Sequence, residues 1–279
     1  MSPLALSLLV LAALVHTAWN LALKRAEDRL LFSALAFALG SLVCAPVLFF
    51  TPGLDPRTLG LAVLSAGFNV AYFVTLTRAY GLADFSFVYP VARGVAPLLL
   101  TLLAWVSLGE RPGPAGLAGL ALLLGGLAVL AGVGGAKRPE RSATLAALSV
   151  AVLIAAYSFV DGVAARRADP LHYTVLNNAL GAVGLLGLVL RRRGVAAARS
   201  LLLARPVALA LTGAGMVGGY ALVVSAFALA PLGYVGAVRE CSVVFGALAG
   251  WLWLGEPLGA RRVGAATLMF LGIVVLMRA

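Results

Sequence analysis

The sequence has little charge, little cysteine and little histidine for its length. Only 11% of its 279 residues are charged, whereas a soluble domain needs about 25% to cover its surface. The two cysteines, Cys44 and Cys241, lie inside apolar segments, which argues against a disulfide framework. The two histidines form no HExxH spacing. We therefore expect neither an enzyme nor a bound cofactor or metal.

Most of the sequence consists of long apolar runs. With 62% hydrophobic residues and a mean hydropathy of +1.05, the chain is predicted to be an integral membrane protein. A transmembrane β-barrel would alternate polar and apolar residues, and runs such as 117–130 do not. The fold class predicted is all-α, with ten transmembrane helices. They lie at roughly 3–23, 30–50, 57–79, 83–107, 113–134, 143–165, 170–190, 205–228, 231–254 and 260–277.

The net charge of +11 does not indicate a nucleic-acid partner. The basic residues sit mainly in loops between apolar segments, where they contact lipid headgroups and set orientation. Most of these loops fall on one side of the ten predicted helices. That side is predicted to be cytoplasmic, which places both termini on the extracytoplasmic side of a cell (inner) membrane.

The sequence repeats itself. Residues 79–108 align with 226–254, and residues 16–28 align with 157–169. The alignment pairs Arg93 with Arg239, Trp105 with Trp251, Glu110 with Glu256, Asn20 with Asp161 and Arg25 with Arg166. We predict a first five-helix repeat over 1–136 and a second over 142–279. Because each repeat has an odd number of helices, the second is predicted to be inverted, with a shared site near the midplane.

Several motifs, taken in order, carry a family resemblance. The first helix contains HTAWN followed by Lys24-Arg25, and Gly-Glu closes the fourth and ninth helices at 109–110 and 255–256. The chain resembles the EamA-type ten-helix exporters of the drug/metabolite transporter superfamily, which include the YddG-like amino-acid exporters. The resemblance implies export of small metabolites from a central cavity between the two halves.

Two arginines are the leading site candidates. Arg93 and Arg239 lie near the middles of predicted helices, where an arginine costs about 2.5–3.5 kcal/mol on insertion scales. We expect both to face the cavity and to bind an anionic group such as a substrate carboxylate. The alternative is that Arg239 pairs permanently with Glu240 or Asp161.

Three residues are candidates for proton coupling. Glu240 and Asp161 are the carboxylates well inside the predicted helices, and His16 titrates near neutral pH. Against this role, a neighbouring arginine would hold Glu240 in its charged form. Asp161 is close enough to a helix end to be hydrated. Coupling of transport to a proton is therefore possible but is not decided by the sequence.

Other polar and aromatic residues could line the cavity. His16, Trp19 and Asn20 share one face of the first helix. The remaining candidates for substrate binding are Asn69, Tyr72, Tyr89, Tyr157, Tyr220 and Tyr234. Tyrosines near helix ends can instead be interface anchors, and the histidine can instead lock helix packing. Asn177 and Asn178 are expected to bond between helices.

Two further patterns are interpreted structurally. Glu110 and Glu256 each precede the N-terminus of the next predicted helix, where the dipole favours a negative charge. The GxxxG pairs Gly215/Gly219 and Gly246/Gly250 allow close helix approach. They could serve the contact between repeats or a dimer, so both a monomer and a homodimer are compatible with the sequence.

The function predicted is secondary transport. The leading hypothesis is export of small metabolites, most simply amino acids, by alternating access. Alternatives are exchange of nucleotide sugars or other organic anions, multidrug efflux and passive conduction. A membrane-embedded enzyme is disfavoured because no catalytic motif is present. The expected partners are a small-molecule substrate and the lipid bilayer.

Overall fold

The computed structural model of this chain describes residues 1–24, 26–82, 85–131, 141–242, 244–245 and 260–279. Within these ranges, the side chains at 24, 85–87, 89–90, 130–131 and 260–262 are left undescribed. The described backbone contains eleven α-helices, one 3₁₀ helix at Ala45–Phe49 and no strand. The predicted all-α class is confirmed for these residues.

The helices follow the predicted order with two differences. They are α1 (Pro3–Lys24), α2 (Arg29–Cys44), α3 (Pro56–Leu82), α4 (Phe85–Leu108), α5 (Pro114–Ala131), α6 (Arg141–Ala165), α7 (Pro170–Arg193), α8 (Val195–Ala204), α9 (Pro206–Phe227), α10 (Leu232–Arg239) and α11 (Ala260–Arg278). In the described ranges, seven helices are long and apolar enough to cross a membrane. The chain is therefore a multi-pass membrane protein.

Both differences concern the second half. The segment 191–204, predicted as a loop, contains the ten-residue helix α8, which is too short to span a bilayer. The helix predicted over 231–254 stops at Arg239, and residues 240–241 form a turn. There the amides of Glu240 and Cys241 bond three residues back rather than four. Residues 246–254 lie outside the description.

Helix starts are fixed by local chemistry that the sequence shows. Asp28 caps α2 by accepting a hydrogen bond from the Leu31 amide at 3.0 Å. Asp169 caps α7 by accepting from the amides of Leu171 and His172, both at 2.9 Å. Such side chains satisfy amides that have no partner within the helix. Proline stands at the first position of several helices, where its missing donor costs nothing.

The two halves are interleaved. The main helix pairs all join one half to the other: α5 with α11, α3 with α6, α2 with α9, α4 with α6 and α1 with α9. Each half therefore packs mainly against helices of the other half. Polar side chains on α1, α4 and α6 are brought to α9 and α10 by this arrangement.

Small residues permit the closest of these contacts. A β-carbon on Gly40 of α2 would overlap the backbone of Gly213 on α9, so the two helices touch backbone to backbone. Gly215 and Gly219, for which the sequence left two interpretations open, face Val15 and Trp19 of α1. They therefore serve the contact between the halves. Gly246 and Gly250 lie outside the described residues.

Candidate functional site

Four charged or titratable side chains from three helices meet inside the helical body, and we call them the central cluster. They are His16 on α1, Arg93 on α4, and Arg239 and Glu240 at the end of α10. The Glu240 side chain is fully buried, and each arginine side chain is 13% exposed. Both predicted arginines therefore lie together, and the break in α10 places Glu240 beside them.

Glu240 is shared between the two arginines unequally. Arg93 Nη1 donates to Glu240 Oε1 at 3.0 Å, whereas Arg239 Nε lies 3.8 Å from the same oxygen. The direct partner of Glu240 is thus Arg93, which is 147 positions away, and not the neighbouring Arg239. The alternative hypothesis, a permanent pair of Arg239 with Glu240, corresponds to the longer and weaker of these two contacts.

His16 completes the cluster on the α1 side. Arg93 Nη2 lies 3.4 Å from His16 Nε2. Because a guanidinium only donates, this contact uses the lone pair of Nε2 and requires the neutral imidazole with its proton on Nδ1. The Trp19 ring packs edge-on against the imidazole with centroids 4.6 Å apart. The predicted shared face of His16 and Trp19 is confirmed.

The central cluster has unfilled hydrogen-bonding capacity. Arg239 Nε and Glu240 Oε2 are buried and have no hydrogen-bond partner in the described structure. Buried polar groups are normally paired, since leaving one unpaired costs about 1–3 kcal/mol. One atom is a charged donor and the other a charged acceptor, on adjacent residues. This pair can therefore hold a ligand that carries both charges.

Asp161 lies in a second, separate network. Its side chain is fully buried, so the expectation of hydration near a helix end is wrong. Tyr173 donates to Oδ1 at 2.6 Å, and Tyr220 donates to Oδ2. Asn177 Nδ2 reaches both Oδ1 of Asp161 and Oγ of Ser65, each at 3.2 Å. As predicted, Asn177 bonds between helices.

Aromatic rings join the two groups. The ring of Tyr157 lies 6.0 Å from that of Tyr72 and 6.3 Å from that of Tyr220, both edge-on. Tyr157 and Tyr220 also lie in the neighbourhood of Arg239. These three predicted tyrosines therefore form a wall between the Asp161 network and the central cluster.

The structure does not bring the other predicted residues into the cluster. Asn20 donates to the His16 carbonyl at 2.8 Å, and Asn69 donates to the Ser65 carbonyl at 3.1 Å, so each amide is bonded within its own helix. Tyr234 lies near the start of α10 and packs against Gly116. The side chain of Tyr89 is outside the described residues.

A third charged group closes the side of the molecule that carries both chain ends, which we call the terminal face. There the Met1 ammonium donates to the Leu276 carbonyl at 3.3 Å. Arg166 pairs with Glu110 and donates to the carbonyls of Phe227 and Ala230, each at 3.2 Å. The other carboxylate oxygen of Glu110 accepts from the Leu232 amide at 2.8 Å.

Glu110 lies at a helix N-terminus as predicted, but the helix is α10 and not the next helix, α5. Gly109 has a φ of +71°, and the amides of Gly109 and Glu110 bond back to Trp105 and Ala104. This is a glycine-terminated helix end. The turn directs Glu110 to the N-terminus of α10 in the other half, and not to α5. A small cavity of ≈ 90 Å³ lies beside it, lined by Thr101, Glu110 and Tyr234 among others.

Sequence reasoning missed Tyr173 and the pairing of Arg166 with Glu110. Tyr173 is fully buried, and its hydroxyl bonds to Asp161. Its spacing of four from Asn177 puts both on one face of α7 and was the available signal. The pairing of Arg166 is non-local, so no local pattern indicated it.

Comparison with known proteins agrees with this architecture. The model of the EamA-like transporter family matches residues 3–132 and 141–278. The chain belongs to the EamA-like transporter family. The two matches cover nearly the whole chain, and the predicted resemblance is confirmed. The molecule is thus a membrane transporter of the drug/metabolite type, a class of proteins that move solutes.

Solved structures share the fold of this transporter. One of them, described as a crystal structure of a protein, is 24% identical and superposes with a TM-score of 0.77. The alignment covers 98% of this chain and 98% of that one, so the likeness extends over the entire fold. No curated protein matches the chain.

Proposed function

We propose that this transporter exports small zwitterionic metabolites, foremost amino acids, by alternating access through the central cluster. Ten spanning segments form two inverted five-helix repeats, with helix α10 and the residues after it counted as one broken span. The protein resides in the inner membrane, and both termini lie outside. Broken spans at the centre of inverted repeats are typical of secondary-transporter binding sites, which supports this assignment.

The observation that carries the proposal is the unpaired donor and acceptor in the central cluster. Arg239 Nε and Glu240 Oε2 are buried and without a hydrogen-bond partner among the described residues. A carboxylate would accept from Arg239, and an ammonium would donate to Glu240. An α-amino acid carries these two groups on one carbon, so it can satisfy both atoms together.

The neighbouring contacts favour the same ligand. Arg93 already donates to the other oxygen of Glu240 at 3.0 Å, which fixes the carboxylate that would receive the ammonium. The tyrosines at 72, 157 and 220 form an aromatic wall beside these charges. Such a wall with a few directed polar groups suits an amphipathic small molecule.

The test is exchange in proteoliposomes with matched ligands. A labelled neutral amino acid is loaded, and unlabelled competitors are the same amino acid, its decarboxylated amine and its deaminated acid. We expect only the compound with both charges to exchange. Glu240→Gln removes a charged hydrogen bond worth about 1.5–3 kcal/mol and should lower exchange by about 10- to 100-fold.

Two further variants control this experiment. Glu27→Gln makes the same change in an exposed loop and should leave exchange unaltered. Arg239→Lys keeps the positive charge but loses the guanidinium fork, so it should weaken binding of the carboxylate. Equal exchange of the amine that lacks a carboxylate would contradict the zwitterion assignment.

One observation favours a second candidate function, the exchange of organic anions. Two guanidinium groups, Arg93 and Arg239, share the single carboxylate of Glu240, which leaves an excess positive charge within the cluster. An anion without an ammonium group could bind there. Exchange by the deaminated acid at the rate of the amino acid would select this function.

A further inference from the structure

Asp161 differs from the other carboxylates within the helical body. Glu240 pairs with Arg93, and Glu110 pairs with Arg166. Asp161 is fully buried, yet it forms no ion pair within the described ranges. A buried carboxylate without a cation is costly to keep charged. Protonation removes that cost.

All direct partners of Asp161 are neutral and come from neighbouring helices. They are Tyr173 and Asn177 on α7 and Tyr220 on α9, with Ser65 on α3 bonded through Asn177. Ser158, three residues earlier on α6, has a buried hydroxyl without a partner in the described structure. Hydroxyls both donate and accept, so these partners can serve the charged and the protonated carboxyl group.

We propose that Asp161 binds the proton whose movement across the membrane drives transport, an inference that rests on the proposed function above. The carboxylate takes one proton from water on one face of the membrane and returns it to water on the other. No other bond is made or broken. The three sequence candidates for coupling are thereby reduced to one.

The two other candidates have partners that oppose this role. Glu240 already forms an ion pair with Arg93 and lies 3.8 Å from Arg239, so adding a proton to it would disrupt contacts that the protein itself makes. His16 accepts from Arg93 through Nε2, so a proton on that nitrogen would break the contact. Asp161 faces one more distant charge, that of Arg239 on α10. Its titratable neighbours are Tyr173 and Tyr220, and Arg93 on α4 is engaged by Glu240.

Tyr220 links the proton site to the substrate site. When Asp161 is charged, it accepts the Tyr220 hydroxyl. When Asp161 carries the proton on Oδ2, that oxygen becomes a donor, and the Tyr220 hydroxyl must turn to accept it or leave. The Tyr220 ring lies 6.3 Å from that of Tyr157, in the aromatic wall of the central cluster. Proton occupancy therefore changes a wall that contacts the substrate.

The experiment compares driven transport with exchange. In proteoliposomes with a one-unit pH difference, one proton per substrate sustains an about tenfold substrate gradient. We expect this gradient in the wild type and none in Asp161→Asn. Substrate exchange at equal pH should still be detectable in the variant, because the residues of the central cluster are intact.

Asp169→Asn makes the same change at the α7 cap, where asparagine also caps well, and should retain the gradient. A wild type whose transport ignores the pH difference, or an Asp161→Asn variant that still responds to it, would overturn the proposal. If neither driven transport nor exchange of zwitterions occurs in the wild type, the substrate assignment fails instead.

Two measurements keep the proposal testable if Asp161→Asn does not fold. Infrared difference spectra of the wild type should show the carbonyl band of a protonated, buried carboxyl group as pH falls, and its absence overturns the proposal. Tyr173→Phe removes one donor to the charged carboxylate, so the pH midpoint of driven transport should move upward. An unmoved midpoint would contradict the assignment.

Discussion

The central cluster and the terminal-face group both contain arginine and glutamate, but they differ in how fully these side chains are hydrogen-bonded. At the terminal face, both oxygens of Glu110 are bonded, and Arg166 also donates to two carbonyls. In the central cluster, Glu240 and Arg239 each retain a buried atom without a partner in the described structure. In the first group both carboxylate oxygens are bonded by the protein itself, and in the second the proposed ligand would bond the two remaining atoms.

This difference teaches how to separate structural from functional charges in a membrane protein. A saturated group holds two elements together, and its loss lowers stability. An unsaturated buried group costs stability and is retained where a ligand completes it. The two groups can therefore be distinguished by whether substitution affects stability alone or also substrate binding.

The largest effect is expected for Arg93→Ala. The substitution removes the hydrogen-bonded partner of the fully buried Glu240, and a charge left unpaired in this way costs about 3–5 kcal/mol. Both the melting temperature and substrate exchange should fall, with exchange lost. Thermal unfolding in detergent and proteoliposome exchange measure these two quantities.

A double-mutant cycle sharpens this result. Because Glu240→Gln removes the charge that Arg93 compensates, the double variant should be more stable than Arg93→Ala alone. Additive losses of stability would show that the two side chains do not interact. Unchanged exchange in Arg93→Ala would remove this arginine from the site.

A smaller effect is expected for Glu110→Gln. It weakens the pair with Arg166, whose side chain is 33% exposed, so we expect a loss of about 1 kcal/mol after allowance for solvent. The apparent KM for substrate should stay within twofold of the wild type. Thermal unfolding and the concentration dependence of exchange test the two expectations. A large rise in KM would erase the distinction between the two groups.

The smallest effect is expected for an exposed carboxylate outside the membrane. The Thr58 hydroxyl, which donates to Asp55 at 2.5 Å, is the main reason that the pKa of this carboxyl lies below its usual value. The contribution to stability is thus present above the ordinary pKa and lost as pH falls through the lowered one. Thr58→Ala should raise the pKa towards normal, measured by titration, and leave exchange unchanged.

The helical fold was predictable because its signals are local. Apolar runs, prolines at helix starts and the capping residues Asp28 and Asp169 all act within one turn of their own position. The end of α10 at Arg239 was not predictable, since no proline marks it. The break accompanies the contact of Glu240 with Arg93, 147 positions away. Helix α8 was missed because its short apolar pattern lies within a basic stretch.

The candidate site was predicted in its residue types more than in its pairings. The repeat identified Arg93 and Arg239, and both lie in the central cluster. Asn20 and Asn69 were indistinguishable from cavity residues in sequence, but each bonds to a carbonyl of its own helix. A polar side chain can bond within its own helix or reach another helix, depending on its orientation. That orientation cannot be read from a single sequence.

The backbone contact of Gly40 with Gly213 bears on how the halves could move. Interlocked side chains resist a change of crossing angle, because ridges must leave their grooves before the helices can turn. At the crossing of Gly40 and Gly213 no side chain lies between the two helices. If the halves rock as proposed, this crossing is where they can turn with the least disruption, and even an added methyl group there would force the two helices apart.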